Sequence, residues 1–140
     1  MRRAAEAPAE KRSAAVERQA EKFVRFWHKT GLLHFREEEE MLLPAYARHG
    51  RLDKDASVMR VLADHAEIRA AVQDFELRLA EKAPIEAGEM AHLAKLLHDH
   101  VRLEENEVFP RIEKALGEES LDAMGQNLTR LHSKNEVCDI

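Results

Sequence analysis

Two stretches of this chain carry one pattern of chemically capable residues. They read HFREEEEMLLP at positions 34–44 and HVRLEENEVFP at positions 100–110. His34/His100, Arg36/Arg102, Glu38/Glu104, Glu39/Glu105 and Pro44/Pro110 are identical pairs at a constant separation of 66 residues. Chance seldom repeats a histidine, two glutamates and a proline in fixed register, so a helical segment is duplicated here. A histidine four residues before a glutamate puts both on one helix face, about 40° apart around the axis. Both His-x-x-x-Glu pairs sit in an apolar stripe: His34 near Trp27 and Met41, His100 between Leu97 and Val108. A third histidine, His65, lies between Val61 and Ile68 on the intervening stretch. Burying imidazoles and carboxylates costs several kcal/mol unless each finds a partner. One solution is a shared cation, held by donors converging from several helices.

An ordinary alternative exists: exposed hydrogen-bonded His–Glu pairs and a satisfied core histidine. Two pairs in register, with a core histidine between them, favour metal. The candidate ligands are therefore His34, Glu38, His65, His100 and Glu104. The other histidines, His28, His49, His92, His98 and His132, fall off this register or near helix ends and read as surface or capping residues. Within the acidic run 37–40 only Glu38 has the site register, and its neighbours read as a solvated face.

The elements that must position these residues are helices. Of the 140 residues, 44% are hydrophobic and 35% charged, with only 5 Gly and 4 Pro. That is the composition of one helical domain. The periodicity predicts long helices over 13–43 (ended by Pro44), 57–83 and from 85–89 to 109, where Pro110 bends or ends the third, with a possible extension to 116. A short fourth helix is expected over 119–132. Residues 1–12 read as a flexible N-terminus, 13–132 as the domain and 133–140 as a loose tail. The charge balance, 22 basic against 27 acidic residues, gives no basic field for nucleic acid. No apolar run reaches the ~18–20 residues needed to span a bilayer. The single cysteine, Cys138, suits a reducing compartment, so a cytoplasmic location is expected.

The stretches HFREEEEMLLP, LADHAEIRA and LLHDHVRLEENEVFP resemble the hemerythrin-like, or HHE cation-binding, domain, over about residues 20–117. The resemblance implies an all-α, antiparallel up-down helical bundle around a non-haem di-iron centre. By motif position it implies that His34, His65 and His100 are terminal ligands and that Glu38 and Glu104 bridge. Arg69, four after His65, matches a non-ligand position that offers a charge partner near the rim. The family places a further histidine on a helix before the first motif, and no histidine precedes His28. The chain thus reads as three long helices plus the short C-terminal one, lacking the first helix. The open groove is then expected to be covered by a homodimer partner or by residues 119–132, unless the natural chain begins further upstream.

The functional expectation is a metal-binding domain that binds or senses dioxygen, nitric oxide, peroxide or iron. Two iron ions are expected, with Mn or Zn as substitutes, and the role is binding rather than catalysis. The alternatives are a metal-free, vestigial interaction or regulatory module and a weak di-iron peroxidase.

Overall fold

The computed structural model describes residues 9–117, which form three long helices and no strand. Helix α1 runs without a break over residues 9–47, α2 spans Ala56–Glu81 and α3 covers residues 87–117. Short connections make neighbours antiparallel, in an up-down bundle. The expected helix over 119–132 lies outside the described residues.

The ends are set by local chemistry. Asp55 caps α2, its Oδ1 accepting from the Ser57 and Val58 N–H groups at 3.0 and 3.2 Å. The same carboxylate takes Arg111 of α3 at 2.7 Å and the Tyr46 hydroxyl of α1 at 3.3 Å, tying one end of the bundle together. At the other end Lys82 adopts the left-handed conformation (φ 58°), closing α2 two residues before Pro84. Glu86 and Glu89 then open α3 with a reciprocal capping box.

Two expected boundaries move. Helix α1 starts at Ala9 and passes through Pro44 to Ala47, and α3 passes through Pro110 to Gly117. Each proline follows a wide π-helical turn, Glu38–Leu42 in α1 and Glu104–Val108 in α3. In the first, the N–H closing the turn reaches back five residues, from Leu43 to the Glu38 carbonyl. Where the ordinary ladder restarts, a missing N–H is tolerated, and the proline continues the helix instead of stopping it. These two turns are also 66 residues apart, so the duplication seen in the sequence is a duplication of backbone geometry.

A third π turn, Trp27–Gly31, has no counterpart in α3. It shifts the register of α1 by one residue. Without it the residue seven after Trp27, His34, would continue the buried face; with it Phe35 does. Phe35 is 2% exposed, whereas the His34 side chain is 49% exposed, contrary to its expected place in the apolar stripe. The second turn repeats the shift, so Leu43 is buried in place of Leu42. Phe26 and Val101 are exposed as well.

The apolar core has two parts. Near the α2–α3 connection, Trp27, Phe35, Ile68, Val72, Phe75 and Leu93 pack together. Near the α1–α2 connection, Leu43, Val58, Val61, Val108 and Ile112 do so. On every helix the residues between these clusters are polar and buried: Glu38, Asp64, His65, His100 and Glu104. A charged layer thus crosses the middle of the bundle.

Candidate metal centre

Four of the five expected ligands meet in that layer. Glu38 from α1, His65 from α2, and His100 and Glu104 from α3 are buried, with one donor atom of each lying within 4.8 Å of all the others. His65 Nε2 is 2.8 Å from Glu38 Oε1, and His100 Nε2 is 3.3 Å from Glu104 Oε1. His34 stands at the edge, its Nε2 2.9 Å from Glu38 Oε2 and 3.9 Å from Glu104 Oε1. The two oxygens of Glu38 thus face different histidines.

The imidazoles are held from behind. His65 Nδ1 lies 2.6 Å from Glu39 Oε2, which also accepts from Arg69 at 2.7 Å. His100 Nδ1 lies 3.2 Å from Asp64 Oδ2, and Asp64 accepts from Arg60 at 2.9 Å. A carboxylate behind Nδ1 fixes the proton there and points the Nε2 lone pair into the layer. Phe35 stacks on the His65 ring with centroids 3.7 Å apart and planes at 12°, fixing its orientation. Arg69 in turn lies over Phe35, 5.6 Å from the ring centroid.

Glu39 and Asp64 were not expected here. Glu39 belongs to an acidic run whose register points to a solvated face, and it is the partner of His65 instead. Its repeat counterpart Glu105 is exposed, so the duplication gave no hint. Asp64 did carry a signal: it falls three residues after Val61 and four before Ile68, at core register. The expectation for Arg69 as a charge partner is met through Glu39. His28, His49, His92 and His98 are exposed, and His28 and His92 pair across helices with Glu76 and Glu67. His132 lies outside the described residues.

The donor chemistry fits a cation. Both Nε2 atoms of His65 and His100, both oxygens of Glu38 and Oε2 of Glu104 are buried without a hydrogen-bond partner. The short distances between them join groups that do not aim at one another. Orphaned polar atoms are rare in protein interiors, and five at one point need an explanation. Two neutral imidazoles and two carboxylates form a donor set suited to a divalent transition metal.

The charges of this layer also shift the proton affinities of its members. The carboxylates of Glu104 and Glu38 raise His34 to about 10. Burial works against the charge on His100, but Glu104 and Asp64 outweigh it and raise its pKa. Burial likewise opposes the charge on Glu104, yet the imidazoles of His100 and His34 hold it well below the usual carboxylate range. Burial also opposes the charge of Glu39, and Arg69 and His65 overcome it, leaving its pKa lowered.

Beside the layer lies an apolar cavity of about 160 Å³ between α1 and α3. Phe23, Phe26, Trp27, Gly31 and Val101 line it, and it reaches His34, His100 and Glu104. Among the described residues no helix is long and apolar enough to cross a membrane. No curated protein and no solved structure matches the chain. The family model of the Hemerythrin HHE cation binding domain matches residues 1–112, which include every residue of the buried layer. The chain therefore belongs to the hemerythrin HHE cation-binding family.

Proposed function

We propose that this chain holds non-haem iron in its central charged layer and uses it to bind or sense a small uncharged molecule such as dioxygen or nitric oxide. The observation that carries this reading is the set of five buried, unpartnered donor atoms where the three helices meet. His65, His100, Glu38 and Glu104 would hold the metal, with His34 at the open edge. Glu38 faces His65 with one oxygen and His34 with the other, so it would be able to share in holding a cation on either side. Iron would supply a redox-active centre with a coordination position open to a small ligand.

The protein's own contribution is to orient and to exclude. Glu39 and Asp64 hold the imidazoles with Nε2 inward, and Phe35 shields the layer from the lower core. The apolar cavity admits small uncharged ligands and disfavours anions, which would lose hydration there without gaining a partner. The single cysteine supports a cytoplasmic setting.

Metal analysis of protein expressed with ample iron tests this directly. Two irons per chain is the expected value, and the optical spectrum of the reduced, iron-loaded protein changes on admitting air. Absence of Fe, Mn and Zn from the purified protein, and failure to take any of them up, overturns the reading.

A further inference from the structure

The three imidazoles at the charged layer are not supported alike. His65 Nδ1 lies 2.6 Å from Glu39 Oε2, and His100 Nδ1 lies 3.2 Å from Asp64 Oδ2. Both rings are buried, and an arginine of α2 grips each carboxylate from behind, Arg69 on Glu39 and Arg60 on Asp64. His34 also has a carboxylate at the Nδ1 end of its ring. Glu37 Oε2 stands there at 3.8 Å, beyond hydrogen-bonding distance, and the ring is half-exposed. The third carboxylate–histidine pair is thus laid out but not closed.

The fold explains the difference. Glu39 reaches from α1 to His65 on α2, and Asp64 reaches from α2 to His100 on α3. His34 instead faces a cavity of about 240 Å³ whose walls come from α1 and α3, with no residue of α2. Glu37 and Glu38 line it together with Phe109 and Ile112. Support for His34 on the α1 side of this cavity has to come from α1 itself. Glu37 stands three residues after His34, a spacing that puts both on one helix face. The repeat offers no equivalent, because Leu103 holds the matching place after His100. Although Glu37 belongs to an acidic run, its side chain is only 17% exposed. At the opposite end of the ring, Nε2 lies 2.9 Å from Glu38 Oε2, a buried oxygen without a hydrogen-bond partner.

We propose that Glu37 is the positioning carboxylate of His34: when a cation takes Nε2, Glu37 closes onto the Nδ1–H and gives this ring the support that Glu39 and Asp64 give the inner two. The proposal rests on the metal-binding reading above. The movement is small, about 1 Å, to bring the oxygen into hydrogen-bonding range. A cation on Nε2 draws electron density from the ring and makes the Nδ1–H a stronger donor, so binding itself favours the closure. The carboxylate in return fixes the tautomer and raises the basicity of Nε2. Glu37 then sets how firmly the open edge of the centre is held, while the inner imidazoles keep their own anchored partners.

The test uses the full chain with Co(II) as the probe metal, because Co(II) shifts the Nδ1–H proton signal of each coordinated imidazole far outside the normal NMR range. Wild type is expected to show a shifted, exchangeable signal for each of His34, His65 and His100. Glu37→Ala is expected to lose the His34 signal to rapid exchange with water and to weaken Co(II) binding about tenfold, while the metal-free Tm changes little. Glu37→Gln, which keeps an acceptor oxygen, is expected to retain the signal. A double-mutant cycle with His34→Ala locates the effect, since Glu37→Ala is expected to cost nothing further once His34 is gone. A His34 signal that survives in Glu37→Ala overturns this inference alone, and so does an equal loss of affinity in both backgrounds, which marks a through-space charge effect. Wild type that binds Co(II) with shifted signals from His65 and His100 only also overturns it and leaves the metal reading standing. No Co(II) uptake by wild type overturns the metal reading, and this inference with it.

Discussion

Asp64 shows how much of this centre depends on residues that touch no metal. It sits behind His100 at 3.2 Å, itself anchored by Arg60 at 2.9 Å. Removing it frees the Nδ1 proton to exchange positions with the Nε2 lone pair and lets the ring rotate. Asp64→Ala is expected to weaken metal affinity by about 10–100-fold, measured by competition with a chelator, since partners behind a ligating histidine carry weight of this order. His34 makes a different prediction. Its pKa is raised from 6.5 to about 10 by Glu104 and Glu38, so between those values the folded metal-free protein keeps a proton that the unfolded chain releases. The resulting stabilisation is complete below pH 6.5 and is lost as pH rises through about 10. Half-exposure of the ring weakens the effect by solvent screening. A metal occupying Nε2 must displace this proton, so affinity rises with pH over the same window. Thermal melts of the metal-free protein and chelator competition at pH 6, 7.5 and 9 check both signs.

At the scale of the helix, the π turns decide which residues face inward, and they left little trace in the sequence. Hydrophobic spacing on a uniform helix leads from Trp27 to His34 and on to Met41. Each wide turn adds one residue, which puts Phe35 and then Leu43 on the buried face and moves His34 to the edge. The donors themselves were legible because His-x-x-x-Glu recurs with its proline, and α2, which has no such turn, follows its expected stripe from Val58 to Phe75. Glu39 was hidden because it sits one position from the register, inside a widened turn. Gly31 closes the first wide turn and makes it possible. A Cβ there would lie 2.8 Å from Trp27 Cε3, and Trp27 is held against Phe35 with ring centroids 4.9 Å apart. Gly31→Ala therefore destabilises the fold, although alanine is the better helix former by about 1 kcal/mol. The overpacking, about 1–3 kcal/mol, outweighs that gain, and a urea titration is expected to show a lower midpoint at unchanged slope.

Across the whole molecule, the charged layer separates two apolar clusters that would otherwise form one core. Burying the charged groups of this layer, contributed by all three helices, opposes folding of the metal-free bundle. A bound cation reverses that, because it joins α1, α2 and α3 only in the folded state. Stability then rises with free metal, by about 2.7 kcal/mol at one hundred times the dissociation constant. The double replacement His100→Leu with Glu104→Leu separates this linkage from packing. Asp64 keeps its contact with Arg60, while a buried imidazole and carboxylate give way to apolar side chains of similar size. The metal-free double variant is expected to be more stable than the metal-free wild type by about 1–4 kcal/mol, the gain known for replacing buried ion pairs. Its melting temperature is expected not to respond to iron, whereas that of wild type climbs with each addition and falls back on chelation. A double variant that melts below the metal-free wild type would mean that the layer stabilises the fold without a cation, and the charged groups would then be structural.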